Sequence, residues 1–208
     1  MKKTKRSKKS RSWVIKQHRD QFFKKSKVLG YRSRSAFKLI ELNKKFKLIN
    51  KSTNLLDLGA SPGGWSQVAS QIVKTGKILA IDIKSMENLN NVMFLQCNFT
   101  EDFAQDQIKK FFNGKIQTII SDLAANTTGN QDLDCIRTNS LCSEVINFSS
   151  KIIINKGKLL SKLFMGEDFI EVKNLAKSKF KKVEFFKPEA SRNESRETYI
   201  YCEGLKTL

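Results

Sequence analysis

Residues 54–67 read NLLDLGASPGGWSQ, and this stretch carries the strongest structural signal in the chain. Residues 54–58 predict a buried β-strand, and residues 65–73 have the pattern of an α-helix. The turn between these two segments contains three glycines, Gly59, Gly63 and Gly64. Glycine lets a ligand approach the main chain closely, because no side chain stands in the way. A strand, a glycine-rich turn and a helix in this order indicate a nucleotide-binding protein.

Strand-like and helix-like segments alternate along the rest of the chain. Six further strands are predicted, at residues 78–83, 92–96, 117–122, 158–164, 183–186 and 198–202, with Gly157 just before the strand at 158–164. Helices are predicted at residues 102–112, 135–154 and 168–178, and one more begins at Ser33 or Ser35. This alternation predicts an α/β fold with helices on both faces of the sheet.

The composition indicates one folded domain with an extension. The chain has 208 residues, of which 39% are hydrophobic, and such a domain buries a full core without metals or disulfides. The four cysteines form no Cys-x-x-Cys pair and the only histidine is His18, so we expect no metal site and reduced, buried thiols. No run of 18 apolar residues exists, which predicts no membrane span, and no apolar signal-peptide segment follows the N-terminus.

The positive charge is concentrated in the first quarter of the chain. Residues 1–51 contain 19 Lys and Arg and 2 acids, a net charge of +17, whereas residues 52–208 carry only +2. Clustered cations release counterions from a phosphate backbone, so the asymmetry favours nucleic-acid binding over a solubilising tail or a membrane surface. Residues 1–12 are of low complexity, and we expect them to be disordered on their own.

Several polar residues are placed to bind a nucleoside at the ends of the predicted strands. Asp82 ends the second strand and can accept hydrogen bonds from ribose hydroxyls, which disfavours NADP. Asn98, after the third strand, is placed to contact an adenine edge, and Trp65 either lines the pocket or packs on the sheet. Together with Asp57 and Asp122, Asp82 favours a cationic sulfonium cofactor, although an NAD-dependent oxidoreductase stays open.

Charged residues are expected to converge at the edge where the parallel strands end. Asp122 ends the fourth strand, and Lys162 lies near the end of the fifth among apolar residues, where an unpaired charge is costly. If the last strand runs antiparallel, Glu197 at its start reaches the same edge. The group is then either a structural ion pair or a site in which a desolvated Lys162 acts as a base, with Lys38 as a second cation.

The chain resembles the FtsJ/RrmJ family of ribosomal RNA ribose 2′-O-methyltransferases over about residues 11–203. The resemblance is carried by six motifs in order: Ser12-Trp13 with His18, GYRSRSAFKL at 30–39, DLGASPGGWSQ at 57–67, SDLAAN at 121–126, KLF at 162–164 and SRNESRETY at 191–199. Because the pattern begins near Arg11, it leaves little room for a cleavable transit peptide.

The resemblance implies a Rossmann-like, S-adenosyl-L-methionine (SAM)-dependent methyltransferase fold, with a mostly parallel seven-stranded sheet whose last strand is antiparallel. Residues 31–208 then form the methyltransferase domain, and residues 1–30 form a basic, partly disordered RNA-binding arm. The family's catalytic tetrad falls on Lys38, Asp122, Lys162 and Glu197, with Lys162 activating the ribose 2′-hydroxyl. Its SAM-binding positions fall on Gly63, Trp65, Asp82, Asn98 and Asp122, to which the glycine turn and the buried strand add Asp57 and Gly59.

The resemblance also implies a substrate and a location. The substrate is a uridine in the aminoacyl-site loop of large-subunit ribosomal RNA, on the assembled 50S subunit in the cytoplasm. We expect a monomer without a metal or a membrane partner. Two alternatives stay open: a 2′-O-methyltransferase of transfer RNA or the messenger cap, and a non-catalytic RNA-binding ribosome assembly factor of the same fold.

Two positions depart from the family pattern. Ala125 stands where the family usually has Pro, and we expect this to loosen the loop beside Asp122. Asn98 stands where the family usually has Asp, which removes one charge from the cofactor site. Four arginines are either phosphate contacts or solvated surface residues: Arg32, Arg34, Arg192 and Arg196.

Overall fold

The computed structural model describes residues 20–114 and 116–206. The sequence features at Ser12, Trp13 and His18, and with them most of the predicted basic arm, lie outside the described residues. The boundary between the arm and the methyltransferase domain therefore stays a prediction. Within the described part, no helix is both long enough and apolar enough to cross a membrane.

A seven-stranded sheet forms the centre of the molecule. Its strands are β1 (Leu55–Leu58), β2 (Ile78–Asp82), β3 (Met93–Gln96), β4 (Ile116–Ser121), β5 (Ile153–Phe164), β6 (Phe180–Phe186) and β7 (Glu197–Leu205). They lie in the order β3-β2-β1-β4-β5-β7-β6. Only β7 is antiparallel to its neighbours, β5 and β6. The predicted mostly parallel sheet with an antiparallel last strand is confirmed.

Six described helices cover both faces of this sheet, as the alternation predicted. They are α1 (Gln21–Val28), α2 (Ser35–Phe46), α3 (Gly64–Ile72), α4 (Asp102–Phe112), α5 (Gln131–Ile152) and α6 (Phe169–Lys179). One apolar core joins α4, α5 and α6 to the sheet, through residues such as Ile108, Val145 and Val172. A second core joins α2 and α3 to the other face, through Leu39 and Val68.

Helix α1 lies within the predicted arm and packs on the domain. Asp20 caps its first turn by accepting hydrogen bonds from the N–H groups of Phe22 and Phe23, at 3.0 and 3.1 Å. The ring of Phe22 then contacts Phe37 of α2, with 5.6 Å between the ring centroids. The last third of the predicted arm is therefore held against α2 by a cap and an aromatic contact.

The boundary between α5 and β5 differs from the prediction. The helix was expected over 135–154 and the strand over 158–164, but α5 ends at Ile152 and β5 already begins at Ile153. The apolar run at 152–154 fits either element, and the pairing of Ile153 with Ile116 of β4 selects the strand. Gly157 lies inside β5 where the pairing with β4 shifts register, and a Cβ there would lie 2.3 Å from the Ile153 side chain.

Candidate active site

The sheet has a crevice between the carboxyl ends of β1 and β4. These strands pair with each other, but the chain continues from β1 to β2 on one side and from β4 to β5 on the other. Ligands of open α/β sheets bind at such a switch point. Gly59 follows β1 and Asp122 follows β4, so the glycine turn and one tetrad member face the same crevice.

The glycine turn after β1 has no room for larger residues. Gly59 and Gly63 have φ angles of +78° and +106°, which residues with side chains adopt only with strain. A Cβ on Gly59 would lie 2.8 Å from the side chain of Leu123. Asp82 at the end of β2 fixes the turn from outside, because its carboxylate accepts a hydrogen bond from the N–H of Ser61 at 2.9 Å.

A cavity of about 520 Å³ opens beside this turn, a volume typical of small-molecule sites. Gly59, Asp82 and Asn98 line its side nearest the sheet, so the structure brings three predicted cofactor residues together. The loop after β4 and four residues of α5, Ile136, Arg137, Ser140 and Leu141, form the opposite wall. This helical wall could not be predicted from the sequence, because the contribution of α5 depends on how the helix packs.

Two of the polar residues in this cavity, Asp82 and Asn98, retain hydrogen-bonding capacity. The oxygens of Asp82 accept from the N–H groups of Ser61 and Lys84, which leaves each oxygen a further lone pair. The Asn98 side-chain oxygen accepts from the Thr100 N–H at 3.2 Å, and its amide nitrogen has no partner among the described residues. Ribose hydroxyls and an adenine edge match these groups, so the residues present fit a nucleoside cofactor.

Asp57 and Trp65 lie behind the glycine turn and do not line the cavity. Asp57 is 0% exposed; its Oδ2 accepts from the Ser66 hydroxyl at 2.6 Å, whereas its Oδ1 has no partner in the described structure. Burial raises the pKa of Asp57 to about 7. The Trp65 indole N–H donates to the main-chain oxygen of Ser35 at 2.8 Å. Both side chains support the turn, and cofactor contact by either residue stays a prediction.

Gly63 is placed at the start of α3, outside the wall of the cavity. It is the N-cap of the helix and makes no side-chain cap hydrogen bond. The N–H groups in the first turn of a helix have no acceptor in the helix itself. The main chain after Gly63 can therefore donate to a carboxylate, but contact with a cofactor at this position is also a prediction.

Lys162 and Asp122 form one half of the predicted tetrad. The Lys162 amine lies at the carboxyl end of β5, where it is only 7% exposed. It donates to the main-chain oxygen of Asp122 at 2.7 Å and pairs with Asp122 Oδ1 at 3.1 Å. These two contacts give polar partners to the amine of a lysine that the sequence places in an apolar strand.

Lys38 and Glu197 form the other half. The Lys38 amine lies 2.6 and 2.8 Å from the two carboxylate oxygens of Glu197. The Ser191 hydroxyl donates to the same carboxylate at 2.7 Å. Because β7 is antiparallel, its first residue reaches the edge at which β5 ends, as predicted for Glu197.

Tyr199 joins the two halves and was not among the predicted site residues. Its hydroxyl donates to Asp122 Oδ1 at 2.8 Å, and the Lys38 amine lies 6.0 Å from the centre of its ring. Burial first, and then the charge of Asp122, raise the pKa of Tyr199 well above its usual range, so it remains a donor. The alternation of β7 offered a signal, because Tyr199 is two residues after Glu197 and shares its face of the sheet.

The carboxylate of Asp122 remains charged in this surrounding. Burial acts to raise its pKa, but Lys162, Lys38 and the hydrogen bond from Tyr199 outweigh that effect and lower it. A fixed negative charge is therefore held between two amines. The arrangement orients Lys162 and keeps its amine at the crevice.

The four candidate arginines have different surroundings. Arg32 donates to the main-chain oxygens of Glu87 and Asn88 at 2.7 and 2.8 Å. These hydrogen bonds hold its side chain against the glycine turn. Arg34 and Arg192 line a second cavity of about 360 Å³ together with Lys38 and Glu197. Both arginines also approach Asp20, the cap of α1.

Arg196 lies on another side of the site, where it pairs with Asp132 of α5 at 2.7 Å. Both partners are exposed, so the pair is weak. Of the four arginines, Arg34 and Arg192 are thus the two that adjoin the tetrad through a shared cavity. Phosphate contact by any of them stays a prediction.

The loop after β4 is tied to the first turns of α5. The Asp134 carboxylate accepts hydrogen bonds from the N–H and the hydroxyl of Thr128 at 2.7 and 2.8 Å. The N–H of Ala125 lies 3.4 Å from the hydroxyl oxygen of Thr138 and donates to it. Proline could not make this last bond, and the loosening expected from Ala125 stays a prediction.

Known proteins resemble this chain along most of its length. The profile of the family described as FtsJ-like methyltransferase matches residues 31–205. A protein of Pelagibacter ubique named ribosomal RNA large subunit methyltransferase E is 44% identical over 197 residues, which cover 95% of this chain and 97% of that protein. A protein of the same name from Wolbachia pipientis is 43% identical, covering 89% of this chain and 95% of the relative.

Solved structures agree with the fold. A Plasmodium falciparum protein described as a ribosomal RNA methyltransferase superposes with a TM-score of 0.74 at 31% identity, covering 84% of this chain and 98% of that one. A Streptococcus mutans protein described as a methyltransferase, solved in complex with SAH, gives a TM-score of 0.52 at 17% identity, over 80% of this chain and 97% of that one. The second likeness concerns the fold alone.

Proposed function

This chain belongs to the FtsJ-like methyltransferase family, and from that premise we propose that it transfers the methyl group of SAM to a ribose 2′-hydroxyl of large-subunit ribosomal RNA. The observation that carries the proposal is the paired tetrad. Lys162 contacts Asp122, Lys38 contacts Glu197, and the Asp122 loop also borders the cavity beside the glycine turn.

The cofactor site is the cavity of about 520 Å³ lined by Gly59, Asp82 and Asn98. When bound, SAM supplies an electrophilic methyl group on a sulfonium. Asp82 accepts from the ribose hydroxyls of the cofactor, and Asn98 contacts the adenine edge. Asn98 provides an amide where the family usually has a carboxylate, so it contributes a hydrogen bond without a charge.

Lys162 prepares the ribose oxygen for attack. The two contacts of Lys162 with Asp122 hold its amine at the crevice and leave one position of the nitrogen for the substrate. In its deprotonated form the amine accepts the proton of the 2′-hydroxyl there. Tyr199 and Asp122 hold the amine in place, and this positioning supplies a large part of the rate.

Lys38 and the nearby arginines bind the RNA backbone. Lys38 is fixed by Glu197, and with Arg34 and Arg192 it lines the cavity of about 360 Å³ next to the tetrad. Cations arranged in this way neutralise phosphates and set the position of the ribose. The basic residues 1–19 add long-range attraction to the RNA.

The names of the relatives support ribosomal RNA as the substrate, because proteins 43–44% identical to this chain are named ribosomal RNA large subunit methyltransferase E. We propose a uridine of the assembled 50S subunit as the target, methylated in the cytoplasm by a monomer. The complete tetrad speaks against a non-catalytic assembly factor. A transfer RNA or messenger-cap substrate is an alternative outcome of the test.

The test is a map of ribose 2′-O-methylation in total RNA from cells with and without this protein. We expect one site in large-subunit ribosomal RNA to lose its methyl group without the protein. Re-expression of the wild type restores it, whereas re-expression of the Lys162→Ala variant does not. Loss of a methyl group only in transfer RNA or at the messenger cap contradicts the ribosomal substrate, and an unchanged map contradicts the activity.

A further inference from the structure

A third and smaller cavity, of about 160 Å³, opens beside the tetrad. It lies between the start of α5 and the segment before β7, and Phe164 forms part of its wall. Phe164 is two residues beyond Lys162 on β5, about 7 Å along the strand, and it pairs with Glu197 of β7. The cavity therefore adjoins both halves of the tetrad.

The walls of this cavity combine an aromatic ring with polar groups. Phe164 is half-buried, and its ring has no aromatic partner among the described residues. Thr127 and Gln131 also line the cavity, and within residues 20–114 and 116–206 their side chains have no hydrogen-bond partner. RNA-binding proteins recognise unstacked bases in this way, with a ring on which the base stacks and polar groups at its edge.

The charge of the cavity argues for a neutral ligand. Asp134 and Glu194 contribute carboxylates to the wall, while the one cation there, Arg196, is paired with Asp132. A phosphate would be repelled at this position. The neighbouring cavity with Arg34, Lys38 and Arg192 suits a phosphate better, and the Glu194–Ser195 segment borders both cavities.

We propose that the cavity at Phe164 binds the base of the nucleotide that is methylated. The base leaves its stack in the RNA, lies against the Phe164 ring and presents its polar edge to Thr127 and Gln131. Its ribose then reaches Lys162, and its phosphate reaches the arginine-lined cavity. This inference rests on the proposed function and adds a subsite to it.

The test compares two substrates that differ only in the base. Large subunits are reconstituted with ribosomal RNA that carries either the target uridine or an abasic ribonucleotide, which keeps the 2′-hydroxyl and both phosphates. The kcat/KM of methyl transfer is measured on both for the wild type, Phe164→Leu and Gln131→Ala. Phe103→Leu is the matched control, because Phe103 is an exposed phenylalanine on α4.

We expect removal of the base to lower the kcat/KM of the wild type by about tenfold or more, the size of one lost base–aromatic stack. Phe164→Leu lowers it by about tenfold on the uridine RNA and by less than about twofold on the abasic RNA, because the stack is already absent. Gln131→Ala follows the same pattern with a smaller loss, and Phe103→Leu matches the wild type on both RNAs.

Two results overturn the base site. One is an equal loss on both RNAs for Phe164→Leu and Gln131→Ala, and the other is a wild type whose kcat/KM does not depend on the base. Gln131 lies on the exposed first turn of α5, so its variant keeps the test informative if Phe164→Leu folds poorly. A wild type that methylates no ribose in the uridine RNA contradicts the proposed function instead.

Discussion

At the scale of single residues, Asp122 organises the site. Its carboxylate accepts from the Tyr199 hydroxyl and pairs with the Lys162 amine through the same oxygen, Oδ1. Removal of either partner leaves a buried charge with fewer compensating contacts, which is costly in a region of low dielectric. The two contacts should therefore be strongly coupled in mutational experiments.

The base role assigned to Lys162 predicts a large and specific loss of rate. Lys162→Ala should lower kcat by about 10² to 10⁴-fold, the usual contribution of general base catalysis. Lys162→Arg should be equally inactive, because arginine keeps the ion pair but remains charged and offers no lone pair. Methyl-transfer kinetics measure the loss of rate. The affinity for SAM, measured by calorimetry, should be unchanged in both variants.

Lys156→Ala is the matched control for these variants, since Lys156 is an exposed lysine on the same strand. It should retain the activity of the wild type. An active Lys162→Arg enzyme would refute the base role and would leave Lys162 as a positioning residue.

Asp57 predicts an unusual dependence of stability on pH. Its pKa is about 7 in the folded protein, against 3.8 for an aspartate that is not buried. Between these values the folded state retains a proton that the unfolded state releases, so the stability contributed by Asp57 falls as pH rises. From pH 5 to pH 8, the wild type should lose about 3 kcal/mol relative to Asp57→Asn.

The measurement is the free energy of unfolding in urea for both proteins at several pH values. Asp106→Asn, at an exposed position on α4, should show no such trend relative to the wild type. Parallel pH profiles for the wild type and Asp57→Asn would show that folding does not raise the pKa of Asp57.

The members of the site that could be predicted are those whose position follows from strand ends. Asp82 ends β2, Asp122 directly follows β4, Lys162 lies two residues before the end of β5 and Glu197 begins β7, so their common edge follows from the alternation and from one antiparallel strand. Trp65 illustrates the limit. Its place in the sequence does not reveal that the side chain turns away from the cavity toward Ser35, because that depends on the packing of α2 against α3.

At the scale of elements, the loop after β4 and helix α5 act as one wall of the cavity beside the glycine turn. Asp134 connects them through Thr128, and these hydrogen bonds, first of all the main-chain one, lower the pKa of Asp134. The wall should therefore keep its shape only while this carboxylate is present.

Asp134→Ala should weaken SAM binding by about tenfold in the absence of RNA, the effect expected from the loss of a charged hydrogen bond that orders a loop. Isothermal titration of SAM into the protein measures it. Glu144→Ala, an exposed change on the same helix, should bind SAM like the wild type. Equal affinities for the two variants would mean that the loop is ordered by other contacts.

The order of the elements was largely predictable, and their ends were less so. Helix α4 occupies residues 102–112, as predicted, because it is amphipathic and bounded by polar residues on both sides. The junction at 152–154 was misplaced, since a short apolar run suits a helix and a strand equally and only the pairing with β4 decides. Long-range contacts of this kind leave no local trace in the sequence.

At the scale of the whole molecule, the uneven charge predicts a strong effect of salt on RNA binding. Residues 1–19 contain nine Lys and Arg and no acid. Their deletion should raise the KM for large subunits by at least about tenfold at physiological salt and make it less sensitive to salt. The kcat and the affinity for SAM should not change.

The measurement is methyl transfer at a series of salt concentrations with the full chain and the truncated chain. A variant in which these nine residues are replaced by Gln separates charge from length. The same salt dependence for all three proteins would show that the arm contributes no phosphate contacts.

Because β7 is the last strand of the chain and lies between β5 and β6, the sheet is complete only when the chain is synthesised through β7. A premature stop between the end of β6 and residue 197 removes Glu197 and Tyr199 and leaves the edges of β5 and β6 without their partner β7, and an earlier stop removes β6 as well. Open edges of this kind recruit strands from other chains. A truncated product should therefore be inactive and prone to aggregation, so nonsense variants would burden proteostasis as well as abolish methylation.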